Sequence, residues 1–225
     1  MIKVKPKPLP EIFEYVKSYQ NTLIAGCGGC VSVCLAGGQQ EVTMLKSELE
    51  LSRRDAGIAG RISGRTVERQ CNLSYLEELA DEVKKADCLL SMACGAGIQL
   101  LAERYPRVPV FPGVNTLAIG VDRDIGLYEE NCRACGECVL AYTAGICPVT
   151  RCAKSLFNGP CGGTRDEWCE VGSGIPCAWN EIYERLRDQH RLDDIFKLQK
   201  TMSWRNQIRR TIVQKGYERR YQQED

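Results

Sequence analysis

The sequence predicts an α/β protein. It has a small parallel sheet of Rossmann or flavodoxin-like character with helices, then an irregular cysteine-rich metal-binding domain, then C-terminal helices. Three observations carry this expectation. Strand-like and helix-like stretches alternate from residue 21 to residue 120, the pattern of successive βαβ units. The alternation then stops, and eight of the fourteen cysteines fall between Cys132 and Cys177. From residue 178 to 200 the pattern is helical again. The 225 residues suffice for one large or two small domains. They divide as an N-terminal arm and helix (1–20), a parallel α/β domain (21–125), a cysteine-rich domain (126–180), and a C-terminal helix with a basic tail (181–225).

Residues 1–10 read as a lysine- and proline-rich arm, and residues 9–20 as a short helix with Pro10 at its start. The apolar run 23–25 suits a buried strand, the glycines behind it a tight turn, and VSVCLAGG the start of a helix. Val42, Leu45, Leu49 and Leu51 recur at near-helical spacing across 38–55, as expected of a surface helix with one apolar stripe. A second strand is expected over 62–68. A helix follows, capped by Asn72 or Ser74, with Leu76, Leu79 and Val83 inward. Leu89 to Met92 form the third strand, 97–104 a helix, 108–111 the fourth strand and 116–120 a fifth. Residues 121–131 show little regularity beyond one turn of helix. Parallel sheets place ligands outside the carboxyl ends of their strands, and Cys27, Cys30, Cys71 and Cys94 all fall near those ends.

Composition excludes several classes. A net charge of +1 gives no support for nucleic-acid binding. The single histidine, His190, argues against Cys/His zinc sites and histidine acid–base chemistry. No run approaches eighteen apolar residues, so no membrane span is expected. GCGGC lacks the G-x-G-x-x-G spacing of a dinucleotide loop. Fourteen cysteines would suit a disulfide-stapled secreted protein. The start MIKVKPKPLPEIFEYV carries no leader-like apolar segment, however, and the cysteines bunch at ligand spacings. A cytoplasmic metalloprotein is therefore expected. The tail from Thr201 holds six Lys/Arg against three Asp/Glu and reads as solvated or partner-facing, with Trp204 as the contact residue if it docks.

The first thiol set is C-x2-C-x3-C at Cys27, Cys30 and Cys34. Flanking glycines free the backbone to curl round an iron–sulfide cube and offer N–H donors to it. The fourth thiolate must be remote. Cys94 is the first choice, since M-A-C-G-A-G repeats a glycine-flanked loop at a strand end. Cys71 and Cys88 are the alternatives, and Cys88, which opens a strand, reads rather as a small buried residue. The second set is C-x2-C-x2-C at Cys132, Cys135 and Cys138, the opening spacing of a [4Fe-4S] ligand run. In a bacterial ferredoxin the next C-P follows after three residues; here Cys147-Pro148 follows after eight. Cys161 is taken as the fourth ligand, with Cys147, Cys152, Cys169 and Cys177 as additional or substitute ligands. Two [4Fe-4S] clusters are expected, with a third cluster or a four-thiolate zinc also within reach of so many cysteines.

The motifs GCGGCVSVC (26–34), ERQC (68–71), CPVTRCAK (147–154) and NGPCGG (158–163) resemble the MetV family. These are small iron–sulfur subunits associated with methylenetetrahydrofolate reductase in acetogens and related anaerobes. The same motifs resemble the C-terminal domain fused to some of these reductases, sometimes labelled a zinc finger. The resemblance runs from about residue 20 to 180. It implies a MetF-type flavoprotein partner that carries FMN or FAD and the folate, and a non-catalytic electron-transfer role for this chain in one-carbon metabolism of the Wood–Ljungdahl type. It also implies heterodisulfide-reductase-like or NADH-oxidising subunits as electron donors. The rival readings are a zinc-binding structural or assembly subunit and a cluster-dependent corrinoid or disulfide catalyst.

Overall fold

The computed structural model describes residues 1–202 and 211–221; Trp204 and the tail segment around it lie outside the described residues. The chain divides into two compact units, Met1–Glu130 and Asn131–Asp225.

In the first unit, β1 (Ile2–Pro6) and α1 (Leu9–Val16) lead into β2 (Asn21–Cys27), then α2 (Cys30–Val33), α3 (Gln39–Asp55) and β3 (Arg61–Val67). Next come α4 (Leu73–Leu76), a 3₁₀ turn (Glu77–Leu79), α5 (Ala80–Val83), β4 (Cys88–Ser91), α6 (Gly95–Arg104), β5 (Val110–Pro112), β6 (Val114–Asp124) and β7 (Leu127–Cys132). Strands β3-β2-β4-β5 form one sheet, in that order, with all three pairings parallel. Counted from β2, this is the doubly wound order 2-1-3-4, whose switch point lies between β2 and β4. The central strands are apolar on both faces because helices cover both. Ile24, Ile62 and Leu90 pack against Ile12, Val16, Val42, Leu45 and Leu49 of α1 and α3. Leu23, Ala25, Val67 and Leu89 pack against Leu76, Leu79, Val83 and Leu101 on the other side.

Four expectations change here. Residues 1–10 are not an arm: β1 pairs antiparallel with β6, from Ile2 opposite Ile119 to Pro6 opposite Val114. Strand β6, expected as a fifth strand of the parallel sheet, instead lies in a separate three-stranded sheet of order β1-β6-β7. Residues 121–131, expected to be largely irregular, are mostly strand. They turn at Gly126, whose φ of 81° lies in the left-handed region. The expected helix over 75–86 is broken into α4, the 3₁₀ turn and α5; its start is capped as expected, Asn72 Oδ1 accepting from Ser74 N at 2.9 Å.

Gly37 shows how tightly the sheet's upper end is packed. A Cβ there would strike the Met92 carbonyl oxygen, and the Gly37 carbonyl accepts the Cys27 N–H at 2.8 Å. Gly37→Ala must therefore push apart the segments that carry Cys27 and Cys94. A loss of about 1–3 kcal/mol is expected, read as a lower urea midpoint with an unchanged m-value.

In the second unit a long loop leads to α7 (Pro148–Arg151), the β8–β9 hairpin (Thr164–Arg165, Trp168–Cys169), α8 (Ala178–Asp188), a 3₁₀ turn (Leu192–Phe196) and α9 (Glu218–Tyr221). Helix is thus shorter than expected between 178 and 200. The core here is small: Trp179, Ile182 and Leu186 from one face of α8, with Ala144 and Ile146. Among the described residues, no helix is long and apolar enough to cross a membrane.

The 3₁₀ turn after α8 is held by charge. Lys197 Nζ donates to Asp194 at 2.6 Å, and Arg191 pairs with the same carboxylate. The Lys197 bond, then that of Arg191, holds the Asp194 carboxyl below its usual value against the opposing effect of burial. A depressed folded value stabilises above the unfolded carboxylate pKa of about 3.9, and that stabilisation is lost as pH falls through the folded value. Asp194→Asn should thus lower thermal stability at pH 7. Melts recorded from pH 7 down to pH 2 should converge with the parent at the acid end.

Candidate metal centres

The first candidate site lies at the carboxyl ends of β2, β3 and β4. Cys27 is the last residue of β2, Cys30 the first of α2, and Cys34 the residue that caps α2. Cys94 is the N-cap of α6, and Cys71 follows β3 by four residues, exposed. Cys27 and Cys34 are buried and Cys94 is partly buried in one apolar cluster with Val31, Ala36, Ala93 and Val114. Burial is the main cause that pushes the Cys27 thiol up. Backbone N–H donors at Gln70 and Gly29 oppose it, and the neighbouring Cys71 and Cys94 add to it. Cys27 therefore shares its apolar cluster with Cys94, and Cys71 is near enough to act on its charge. Cys34 is differently engaged: its Sγ donates to the Ile2 carbonyl of β1 at 3.4 Å. Cys88 stands apart, fully buried among the α1 and α3 contacts and 3.4 Å from Thr22 Oγ1.

Of the loop's glycines, Gly29 offers its N–H to the Cys27 sulfur. None of Gly26, Gly28 and Gly29 takes a positive φ. Gly26 is instead needed for space, because Thr66 and Val42 of the neighbouring strand and helix fill the position of its absent Cβ. A further residue shapes the loop. Gln70 is fully buried, donates from Nε2 to the carbonyls of Ala25 (2.7 Å) and Gly26 (3.1 Å), and accepts from Ser91 Oγ at 2.7 Å. One amide thereby ties the ends of β2 and β4 to the chain segment that carries Cys71. Sequence reasoning missed it; the signal available was a neutral polar residue immediately before a strand-end cysteine.

The second candidate site is a cavity of about 260 Å³ in the second unit. Cys132, Cys135, Cys138 and Cys147 all line it, with Val139 and Val149 among its apolar walls. The loop coils because Ala134 (φ 51°) and Gly136 (φ 84°) take left-handed backbone between the cysteines. The coil turns the Ala134 N–H onto Cys132 Sγ at 3.3 Å. Ala144 (φ 49°) and Gly145 (φ 80°) then reverse the chain, burying Ile146 and presenting Cys147 as N-cap of α7. Cys161, the expected fourth member of this set, lies elsewhere. Its Sγ accepts from Lys154 Nζ at 3.7 Å, and Lys154 also pairs with Glu170.

All fourteen cysteines are free thiols. Among the described residues, no group of three or more His, Cys, Asp or Glu side chains is arranged to hold a single metal ion. A cluster makes a different demand, since its ligands sit at separate corners of a cube rather than on one atom. The second cavity suits it on chemistry: four sulfur donors, a backbone N–H aimed at one of them, and apolar walls. On size, it is several times the ~30 Å³ share of one water molecule.

Residues 111–205 match a family model described as the methylene-tetrahydrofolate reductase C terminal. The match includes the whole four-cysteine cavity and all eight clustered cysteines. It leaves Cys27–Cys34, Cys71 and Cys94 outside. Comparison with curated proteins and with solved structures found no match. The relation to methylene-tetrahydrofolate reductase thus rests on the reductase C-terminal segment, a little under half of the chain.

Proposed function

We propose that the chain is an iron–sulfur electron-transfer subunit of a methylenetetrahydrofolate reductase complex. In this reading it feeds the flavin of a MetF-type partner that reduces methylene- to methyltetrahydrofolate. The observation that carries it is the convergence of Cys132, Cys135, Cys138 and Cys147 on one cavity inside the segment matched to that reductase. Those four would hold one [4Fe-4S] cluster. Cys27, Cys30 and Cys94, with Cys34 or Cys71, would hold another at the sheet's carboxyl edge. Such a cluster, when bound, supplies single-electron transfer, which a flavin can convert to two-electron chemistry.

The chain's own residues set the conditions. Val139 and Val149, both buried, form the apolar side of the cavity. The Ala134 N–H donates to the Cys132 sulfur. At the other site the Gln70 and Gly29 N–H groups do the same for Cys27 against the cost of its burial. Heterodisulfide-reductase-like or NADH-oxidising subunits are the donor classes this reading expects.

The test is anaerobic purification with iron, sulfide and zinc quantitation, EPR of the reduced protein, and stopped-flow reduction of a MetF-type flavoprotein by the reduced chain. Iron with matching sulfide, a reduced-cluster signal and flavin bleaching on mixing are expected. A colourless protein with stoichiometric zinc and no sulfide would overturn the reading in favour of a structural zinc subunit.

A further inference from the structure

The outer side of α3 carries a pattern that neither thiol site uses. Glu41, Met44, Glu48, Leu51 and Asp55 recur at alternating spacings of three and four, which puts all five within an arc of about 80° on the helix. Met44 and Leu51 are 56% and 53% exposed. The helix's cations lie off this stripe: Lys46 pairs with Glu50 at 3.7 Å, Arg53 is buried, and Arg54 stands to one side. Beside the first half of the stripe the surface opens into a cavity of about 260 Å³. Leu9, Ile12, Leu45 and Met92 give it apolar walls. Lys7 also reaches it, but Glu11 takes the Lys7 ammonium at 2.6 Å. The charge left there is that of Glu41 and Glu48. Leu35 lines the cavity too. It follows Cys34, the cap of α2, and takes left-handed backbone (φ 53°), which glycine adopts without strain. It is nonetheless a leucine, and 55% exposed. Strain of this kind collects at binding sites, and an apolar side chain held in water gains when a partner covers it. Ala36, fully buried, lines the cavity and also belongs to the apolar cluster of Cys27, Cys34 and Cys94. The cavity and the first thiol site thus share a wall.

We infer that this cavity and stripe receive a redox partner protein, through a segment that inserts one large apolar side chain and carries lysine or arginine beside it. The partner's redox role rests on the electron-transfer reading; the docking face does not. The apolar walls with Leu35 and Met44 at the surface take the anchor. The carboxylates of Glu41, Glu48 and Asp55, with no cation among them on the stripe, select a basic segment over an acidic one. The stripe runs about 20 Å along α3, and Leu51 and Asp55 lie beyond the cavity's lining. Its occupant is therefore a length of chain rather than a small molecule, laid along α3 as an amphipathic helix lies in a groove. A partner seated here stands against the wall of the first thiol site, and electron exchange falls steeply with separation.

The test measures binding of a MetF-type flavoprotein to the anaerobically prepared full chain, and flavin reduction on mixing, for the parent, Met44→Gln, Glu48→Lys and Glu50→Lys. All three positions are exposed, so metal content and melting temperature should match the parent. Glu48→Lys and Glu50→Lys change the charge equally, one on the stripe and one off it. Met44→Gln and Glu48→Lys should each raise the dissociation constant about tenfold, and Glu50→Lys less than about twofold. Added salt should weaken the parent's binding more than that of Glu48→Lys. Unchanged binding in either Met44→Gln or Glu48→Lys, or an equal loss in Glu50→Lys, overturns the inference. So does a parent that does not bind the flavoprotein. A chain that dimerises alone, with Glu48→Lys dispersing the dimer, also overturns it, because the occupant is then a second copy. Binding that responds as expected while the flavin stays oxidised keeps the docking face and overturns the electron-transfer reading. Flavin bleaching by a parent whose variants bind equally well does the reverse.

Discussion

Cys147→Ala is expected to strip the cavity centre as completely as Cys135→Ala. The Cys135→Ala/Cys147→Ala double variant should lose no more iron and sulfide than either single. Residues that hold one group act as a unit, so removing the second member costs nothing further. Cys161→Ala should instead leave the cavity signal intact, because Cys161 lies beside Lys154 and Cys147 lines the cavity. Combined with Cys147→Ala, its effect should add. The structural consequence should also be large. Structural zinc in small metal domains contributes about 10–16 kcal/mol of apparent folding energy, and the second unit has a small core. Circular dichroism and limited proteolysis should show residues 131–177 loosened in Cys147→Ala, while the parallel-sheet unit stays resistant. Equal cavity signals in Cys147→Ala and the parent would show that another thiol completes the set.

How far the sequence could anticipate this depends on what decides each feature. Leu23, Leu89 and Leu90 mark β2 and β4 because these strands are buried on both faces, so apolar runs report them directly. Helix α3 was legible from Val42, Leu45 and Leu49, all buried on one stripe, while Leu51, counted with them, is exposed. Strand β1 was not legible: Lys3, Lys5 and Pro6 hide a five-residue edge strand in which only Val4 is buried. Residues 116–120 of β6 were read as a strand, but the rest of the β6–β7 hairpin was hidden for the same reason. Charged residues line both of its faces, and pairing rather than burial makes it a strand. The C-x2-C-x2-C opening of the cavity set was readable because its members are close in sequence. Its fourth member stayed open between Cys161 and the substitutes that included Cys147, because a left-handed pair at Ala144 and Gly145 returns the chain at Cys147. Non-glycine left-handed backbone has no reliable signature in residue type. At the sheet edge, topology was enough to place Cys27, Cys71 and Cys94 near the carboxyl ends of β2, β3 and β4. The buried Gln70 amide that fixes their loops has no periodic pattern to announce it.

Arg53→Met should produce the largest loss of stability in the parallel-sheet unit without touching a thiol. Arg53 sits on α3 at the helix's last turn and is 3% exposed. Its guanidinium donates to the carbonyls of Tyr19 (2.7 Å) and Val16 (2.9 Å) and to Thr22 Oγ1 (3.0 Å), with longer bonds to the Gln20 and Ala59 carbonyls. One side chain thus ties the end of α1 and the entry to β2 to the last turn of α3. Burial pulls its pKa down from the usual arginine value, a sign that desolvation costs something here. The carbonyl dipoles around it must offset that cost. Methionine keeps the apolar stem but supplies no donor, leaving the Tyr19 carbonyl without its guanidinium partner. Val16 keeps one, since its carbonyl also accepts from Tyr19 N at 3.2 Å. Bonds to a charged group contribute about 1.5–3 kcal/mol each, and they are not additive around one guanidinium. A net loss of about 3 kcal/mol follows, read as a shifted urea midpoint. Arg53→Lys should recover only part of it, because a single ammonium cannot reach both helix-end carbonyls and Thr22 with the planar fork's geometry. Iron and sulfide in the second unit should be unchanged in both variants. That separates a defect in the sheet's clamp from a defect in metal binding. A Cys147→Ala/Arg53→Met double variant should show two additive losses, one in each unit.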